Sequence, residues 1–148
     1  MGTIYKFHCE KCGYVLETNL GFDIFEVVEL YKKTLTAGRN GEFGEEVQKF
    51  LLENPDGEID CKNILKKCTV CGKYETIQDL TMSLPKKDIF GRKGREIFKK
   101  YPHKCKHCGG KVEILTESDI FEKKCNMNCP YCHIEMIEDE RKYSTIWD

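Results

Sequence analysis

Four Cys-x-x-Cys pairs, at positions 9 and 12, 68 and 71, 105 and 108, and 129 and 132, constrain this chain more than any other feature. They use eight of its ten cysteines. Two thiolates separated by two residues can sit on one tight turn with both sulfurs facing one tetrahedral ion, and two such turns complete a four-sulfur shell. Disulfide frameworks seldom repeat one spacing, and no basic region followed by an apolar stretch opens the chain as an export signal would. The expectation is therefore two metal ions held by Cys9, Cys12, Cys68, Cys71, Cys105, Cys108, Cys129 and Cys132. Order along the chain suggests sequential pairing, with Cys9 and Cys12 joined by Cys68 and Cys71, and Cys105 and Cys108 joined by Cys129 and Cys132. The alternative weighed beside it is an interleaved cross-brace, first pair with third and second with fourth.

Glycine follows three of the pairs directly, as Gly13, Gly72 and Gly109. It permits the positive φ of a sulfur-presenting turn and bares backbone N–H groups that donate to thiolate. These Cys-x-x-Cys-Gly turns resemble the zinc knuckles of zinc-ribbon and rubredoxin-like proteins. The resemblance implies structural zinc, with iron as the alternative, since ligand type does not separate the two. Around the last pair, CNMNCPYCH also has the Cys-x3-Cys-x2-Cys spacing of radical SAM enzymes, the dithiol of glutaredoxins and the Cys-x-x-Cys-His of haem attachment. The 16 residues after Cys132 leave no room for a radical SAM barrel, and no βαβ pattern follows. Zinc explains all four pairs with one device. Cys61 and Cys125 are then spare, and read as small buried residues. His8, His103, His107 and His133 flank the turns, and read as exposed or supporting imidazoles, because the eight cysteines already fill two shells.

The segments beside Cys9 and Cys12 read as strands. The 55 residues to the next pair read as helical: a capping box at Asp23 and Glu26, then Ile24, Val27, Val28, Tyr31 and Leu35 at helical spacing until Gly38, then Phe43, Val47, Phe50 and Leu51 on a second face ending at Asn54. Their aromatic stripes read as core, not as a pocket. The fold class expected is a small metal-bound α+β protein of two zinc ribbons with short antiparallel strands, the first ribbon having a two-helix insertion (about 22–54) between its knuckles. The corresponding division is 1–84 for the first ribbon, 85–102 for a basic linker without sustained periodicity, 103–140 for the second ribbon and 141–148 for a tail. In the second ribbon VEIL and IEMI read as strands, with a turn at residues 117–119.

Net charge is −1, distributed as −6 over residues 1–60, +10 over 61–111 and −5 over 112–148. Lys86, Lys87, Arg92, Lys93, Arg95, Lys99 and Lys100, with Phe90, Phe98 and Tyr101 among them, suit phosphate contacts and base stacking. The same cations also suit a solvated linker facing acidic segments of its own chain. No nucleophile and base pair, phosphate-gripping loop or carboxylate pair stands out. The function expected is a non-catalytic cytoplasmic protein with two structural zinc ions, a docking or scaffold module for a protein partner, with no membrane role. A nucleic-acid-binding protein and a rubredoxin-like iron electron carrier are the alternatives.

Overall fold

The computed structural model describes residues 2–21, 27–139 and 142–143. Among them are antiparallel sheets and three helices, a small α+β protein with two four-cysteine clusters. The chain divides into two compact units, one of Met1–Ile24, Lys62–Ile77 and His103–Asp148, the other of Phe25–Cys61 and Gln78–Pro102. Each unit is discontinuous in sequence. Among the described residues no helix is long and apolar enough to cross a membrane.

In the first unit, β1 (Gly2–His8) and β2 (Val15–Gly21) form a hairpin whose turn presents Cys9 and Cys12. Alternation along both strands puts Tyr5, Phe7, Leu16 and Leu20 inside. A second hairpin, β4 (Asn63–Cys68) and β5 (Tyr74–Gln78), presents Cys68 and Cys71. Gly21 lies opposite Asn63, so the hairpins join in one sheet. The strand β8 (Val112–Leu115) adds to β4, with Leu65 opposite Leu115 and Cys68 opposite Val112. At the other edge β9 (Ile137–Glu138) and β10 (Lys142–Tyr143) pair with β1. Leu65, Leu115, Ile120, Met127 and Met136 complete the core. Full burial of an aliphatic side chain of this kind contributes about 1.5–3 kcal/mol.

Residues 117–119, expected as a turn, begin the short helix α3 (Glu117–Phe121). The Thr116 hydroxyl accepts from the Asp119 N–H at 3.3 Å, and Asp119 Oδ2 accepts from the Thr116 N–H at 2.9 Å. This reciprocal pair satisfies two donors that a helix start leaves open. The Thr116 N–H and hydroxyl hold the Asp119 carboxyl below its ordinary range.

The second unit packs α1 (Val27–Arg39) on α2 (Glu45–Glu53), above a sheet of β3 (Glu58–Ile59), β6 (Met82–Lys87) and β7 (Lys93–Lys99). Its core is Val47, Phe50, Leu51, Ile59, Leu80 and Met82, with Leu35 and Phe43 half-buried against it. The second apolar face thus forms as expected, and Asn54 ends α2, its N–H bonded to the Phe50 carbonyl at 3.0 Å. Val28 is exposed, and the buried positions of α1 are Thr34 and Gly38. The capping box at Asp23 and Glu26, with Ile24, lies outside the described residues, as does most of the 141–148 tail. Residues 85–102 are not a plain linker. There β6 and β7 form a hairpin, turned by Asp88 Oδ1 accepting from the Phe90 and Arg92 N–H groups at 2.9 Å each. Every residue of β7 is exposed, so no apolar alternation marked it in the sequence.

Candidate metal centres

The four Cys-x-x-Cys turns are built alike. In each, the first cysteine's N–H bonds to the carbonyl five residues on, and its carbonyl accepts from the N–H four residues on. The first distances are 2.8 Å for Cys9 to Tyr14, 2.9 Å for Cys68 to Lys73, 3.0 Å for Cys105 to Gly110 and 2.8 Å for Cys129 to Ile134. The second run from 2.9 to 3.1 Å, from Gly13, Gly72, Gly109 and His133. Gly13, Gly72 and Gly109 take φ of 78°, 76° and 71°, and His133 takes 62° in the equivalent place. This left-handed conformation folds the loop back so that both sulfurs face one point.

The turns meet in a nested order. Cys9 and Cys12 face Cys129 and Cys132, while Cys68 and Cys71 face Cys105 and Cys108. Within each group all four sulfurs lie within 4.8 Å of one another. Neither the sequential nor the cross-braced pairing holds. The reason is the sheet: β8 pairs with β4, carrying the Cys105 turn to the Cys68 turn, and β9 pairs with β1, carrying the Cys129 turn to the Cys9 turn. The helical segment consequently joins knuckles of two different centres, and residues 103–140 do not close a centre alone.

Sulfurs lie 3.6 Å apart for Cys12 and Cys129, 3.5 Å for Cys68 and Cys108 and 3.6 Å for Cys71 and Cys105. Zinc–sulfur bonds of about 2.3 Å in a tetrahedron put sulfurs about 3.8 Å apart, close to this arrangement. All ten cysteines are free thiols. Backbone donors reach the inner sulfurs: the Val70 and Cys71 N–H groups lie 3.3 Å from Cys68 Sγ, and the Cys132 N–H lies 3.4 Å from Cys129 Sγ. These bonds favour thiolate. The Cys71 and Val70 N–H groups lower Cys68 to about 6, and those of Cys12 and Lys11 lower Cys9 to about 7. Cys105 is lowered in the same way, first by the Cys108 N–H. Their partners go the other way. The Cys12 sulfur and burial push Cys132 up to about 12; at Cys108 the Gly110 N–H favours thiolate, but the Cys68 sulfur and burial outweigh it and push the thiol up to about 11. Four crowded sulfurs cannot all ionise without a cation among them. The chemistry of the donor set therefore fits a divalent metal at each centre.

Supporting groups include one that sequence reasoning missed. Lys66, 8% exposed, bonds Glu75 Oε2 at 2.8 Å and the Lys104 carbonyl at 2.9 Å, tying both hairpin strands to the chain leading into Cys105. Lys66 holds the Glu75 carboxyl below its ordinary range. A buried lysine needs such partners, but its sequence position, two before a cysteine, does not announce them. Tyr74 donates to the Asn128 carbonyl at 2.8 Å, and the Tyr14 and Tyr131 rings meet edge-on at 5.5 Å, so aromatic side chains brace the Cys129 turn. His8 Nδ1 lies 2.9 Å from Asp139 Oδ1, beside the β1–β9 pairing. His107 and His133 are exposed. Among the described residues no histidine joins either four-cysteine group. Cys61 is buried in the second unit and Cys125 half-buried in the first, each thiol pushed up by burial.

Of the basic residues, Lys86, Lys87, Lys93, Arg95 and Lys99 lie on the strands of the β6–β7 hairpin, Arg92 in its turn and Lys100 directly after β7. Several serve the second unit itself. Arg95 bonds Glu58 Oε2 at 3.0 Å and the Asp56 carbonyl at 3.0 Å, Lys99 pairs with Glu46, and Arg92 pairs with Asp88 at 2.6 Å. A cleft of about 890 Å³ opens beside this hairpin, where the sequence suggested only core. Tyr31 and Leu35 of α1 line it, though both belong to the first expected apolar stripe. No protein-family model matches the chain, and no curated protein or solved structure matches it either.

Proposed function

We propose that this is a non-catalytic scaffold or docking protein of zinc-ribbon type, with two structural zinc ions in the first unit. The observation that supports this most is the closed donor set: each centre already offers four sulfurs from four backbone-locked cysteines. A catalytic zinc needs a position open to water, and four thiolates leave none. Each ion would crosslink two turns far apart in the chain, Cys9 with Cys132 at the extremes, and so fix strands of the first unit in one arrangement. Such rigidity suits presentation of a surface to a protein partner.

Metal analysis of aerobically purified protein tests the proposal. The expected result is two zinc ions per chain and no colour. Red protein with iron on thiolate would establish the rubredoxin-like electron carrier instead, and one metal ion or none would overturn the two-centre account.

A further inference from the structure

The β6–β7 hairpin ends in an exposed turn, with Ile89 94% and Phe90 75% exposed. The Arg92 guanidinium lies 5.2 Å from the Phe90 ring centroid, a cation–π pair that covers one face of the ring. Behind the tip, Lys87 stands directly opposite Lys93 across the two strands. Like charges so placed repel and weaken a hairpin. No ion pair relieves either lysine among the described residues, nor Arg39 at the end of α1. These three cations line the same 890 Å³ cleft, where Lys86 pairs with Glu96 at 3.9 Å and Glu58 is taken up by Arg95. An anion in the cleft would turn the repulsion into attraction.

We infer that this hairpin and its cleft bind single-stranded nucleic acid, with phosphates against Arg39, Lys87 and Lys93 and a base stacked on Phe90. This goes beyond the two-zinc scaffold and does not depend on it. Three features favour this occupant. Arg39, at the end of α1, and Lys87 and Lys93, on the two strands, open on one cleft from different elements, so that successive phosphates of a polyanion could each meet a cation. Phe90 offers an aromatic face in solvent, and base stacking on such a face is sequence-tolerant. β7 is an edge strand with β6 its sole neighbour among the described strands and all seven residues exposed, leaving one side open to an extended chain.

The test uses the whole chain of 148 residues as purified, its metal content measured separately, and fluorescence anisotropy with labelled mixed-sequence 12-nucleotide RNA and DNA. Binding is expected at 50 mM salt and should weaken at least tenfold at 200 mM, since counterions released from phosphates oppose it. Lys87→Ala with Lys93→Ala should weaken binding about tenfold or more and flatten the salt dependence. Phe90→Ala should weaken it about fivefold or more with the salt dependence unchanged, the mark of a stacking contact. Circular dichroism and zinc content should stay as in the parent protein, since all three residues are exposed. Absence of binding at 50 mM salt overturns the inference, as does binding that the lysine pair does not affect. Binding to phosphatidylserine vesicles without binding to oligonucleotides also overturns it, assigning the tip to a membrane. Zinc content is read separately, so loss of nucleic-acid binding leaves the two-zinc proposal standing or falling on its own measurement.

Discussion

His133 holds the place that glycine holds in the other three turns, at φ 62°. A side chain in the left-handed region costs about 1–2 kcal/mol, and part of the relief that glycine brings is returned as entropy of the unfolded chain. His133→Gly should therefore raise stability by about 0.5–1 kcal/mol, measured by denaturant unfolding at fixed free zinc. Unchanged or lower stability would mean that the imidazole contributes a contact outweighing the strain. Gly110 is the opposite case. A Cβ there would sit 2.9 Å from Val70 Cγ2 and 3.1 Å from Cys108 Sγ. Gly110→Ala should cost about 1–3 kcal/mol by overpacking, lowering zinc affinity at the Cys68 centre and leaving the Cys9 centre as it was. Protonation adds a further check. At pH 7 in the metal-free protein Cys108 and Cys132, raised to about 11 and about 12, keep their protons, while Cys68, lowered to about 6, has lost its own. Metal needs all of them as thiolates, so loading should release at least the two protons of Cys108 and Cys132, and affinity should fall as pH drops. An indicator dye in weakly buffered solution reads the release, and uptake of zinc with no proton release would contradict the assignment.

At the scale of elements, the four turns were legible because two-residue spacing, with a following glycine in three of them, specifies them locally. The strands of the β1–β2 hairpin, VEIL and the buried face of α2 were legible from periodicity. The β6–β7 hairpin was not, since apolar residues alternate only where one face is buried. α3 was missed because its start reads Thr-x-x-Asp with only five helical residues behind it, too few for a periodic signal. Helix contact in the second unit depends on Gly38, where a Cβ would lie 2.6 Å from Leu51 Cδ1 and 3.3 Å from Ile59 Cδ1. Gly38→Ala should therefore destabilise the second unit despite the better helix propensity of alanine, by about 1–3 kcal/mol. Hydrogen exchange should show the loss in α1 and α2, with strands of the first unit unaffected. An increase in protection there would mean that Leu51 relaxes freely.

At the scale of the molecule, what the sequence could not disclose was pairing between turns. Local spacing makes a half-site, but which halves meet depends on strand partners tens of residues away, β4 with β8 and β1 with β9. The sequential order expected from position along the chain fails because β8 joins β4 and β9 joins β1, so each later turn meets one that is not its neighbour in that order. The nested order joins the two ends of the chain, so metal removal should unfold the first unit from both termini at once, where peptide systems place zinc's contribution at about 10–16 kcal/mol per site. Cobalt substitution tests the nested order most directly, through the absorption of tetrahedral cobalt on four thiolates. A variant with Cys9, Cys12, Cys129 and Cys132 all changed to Ser should keep one such centre, whereas one with Cys105, Cys108, Cys129 and Cys132 changed to Ser should keep none. Retention of a four-thiolate spectrum in the second variant would mean that Cys9 and Cys12 meet Cys68 and Cys71, and would contradict the nested pairing.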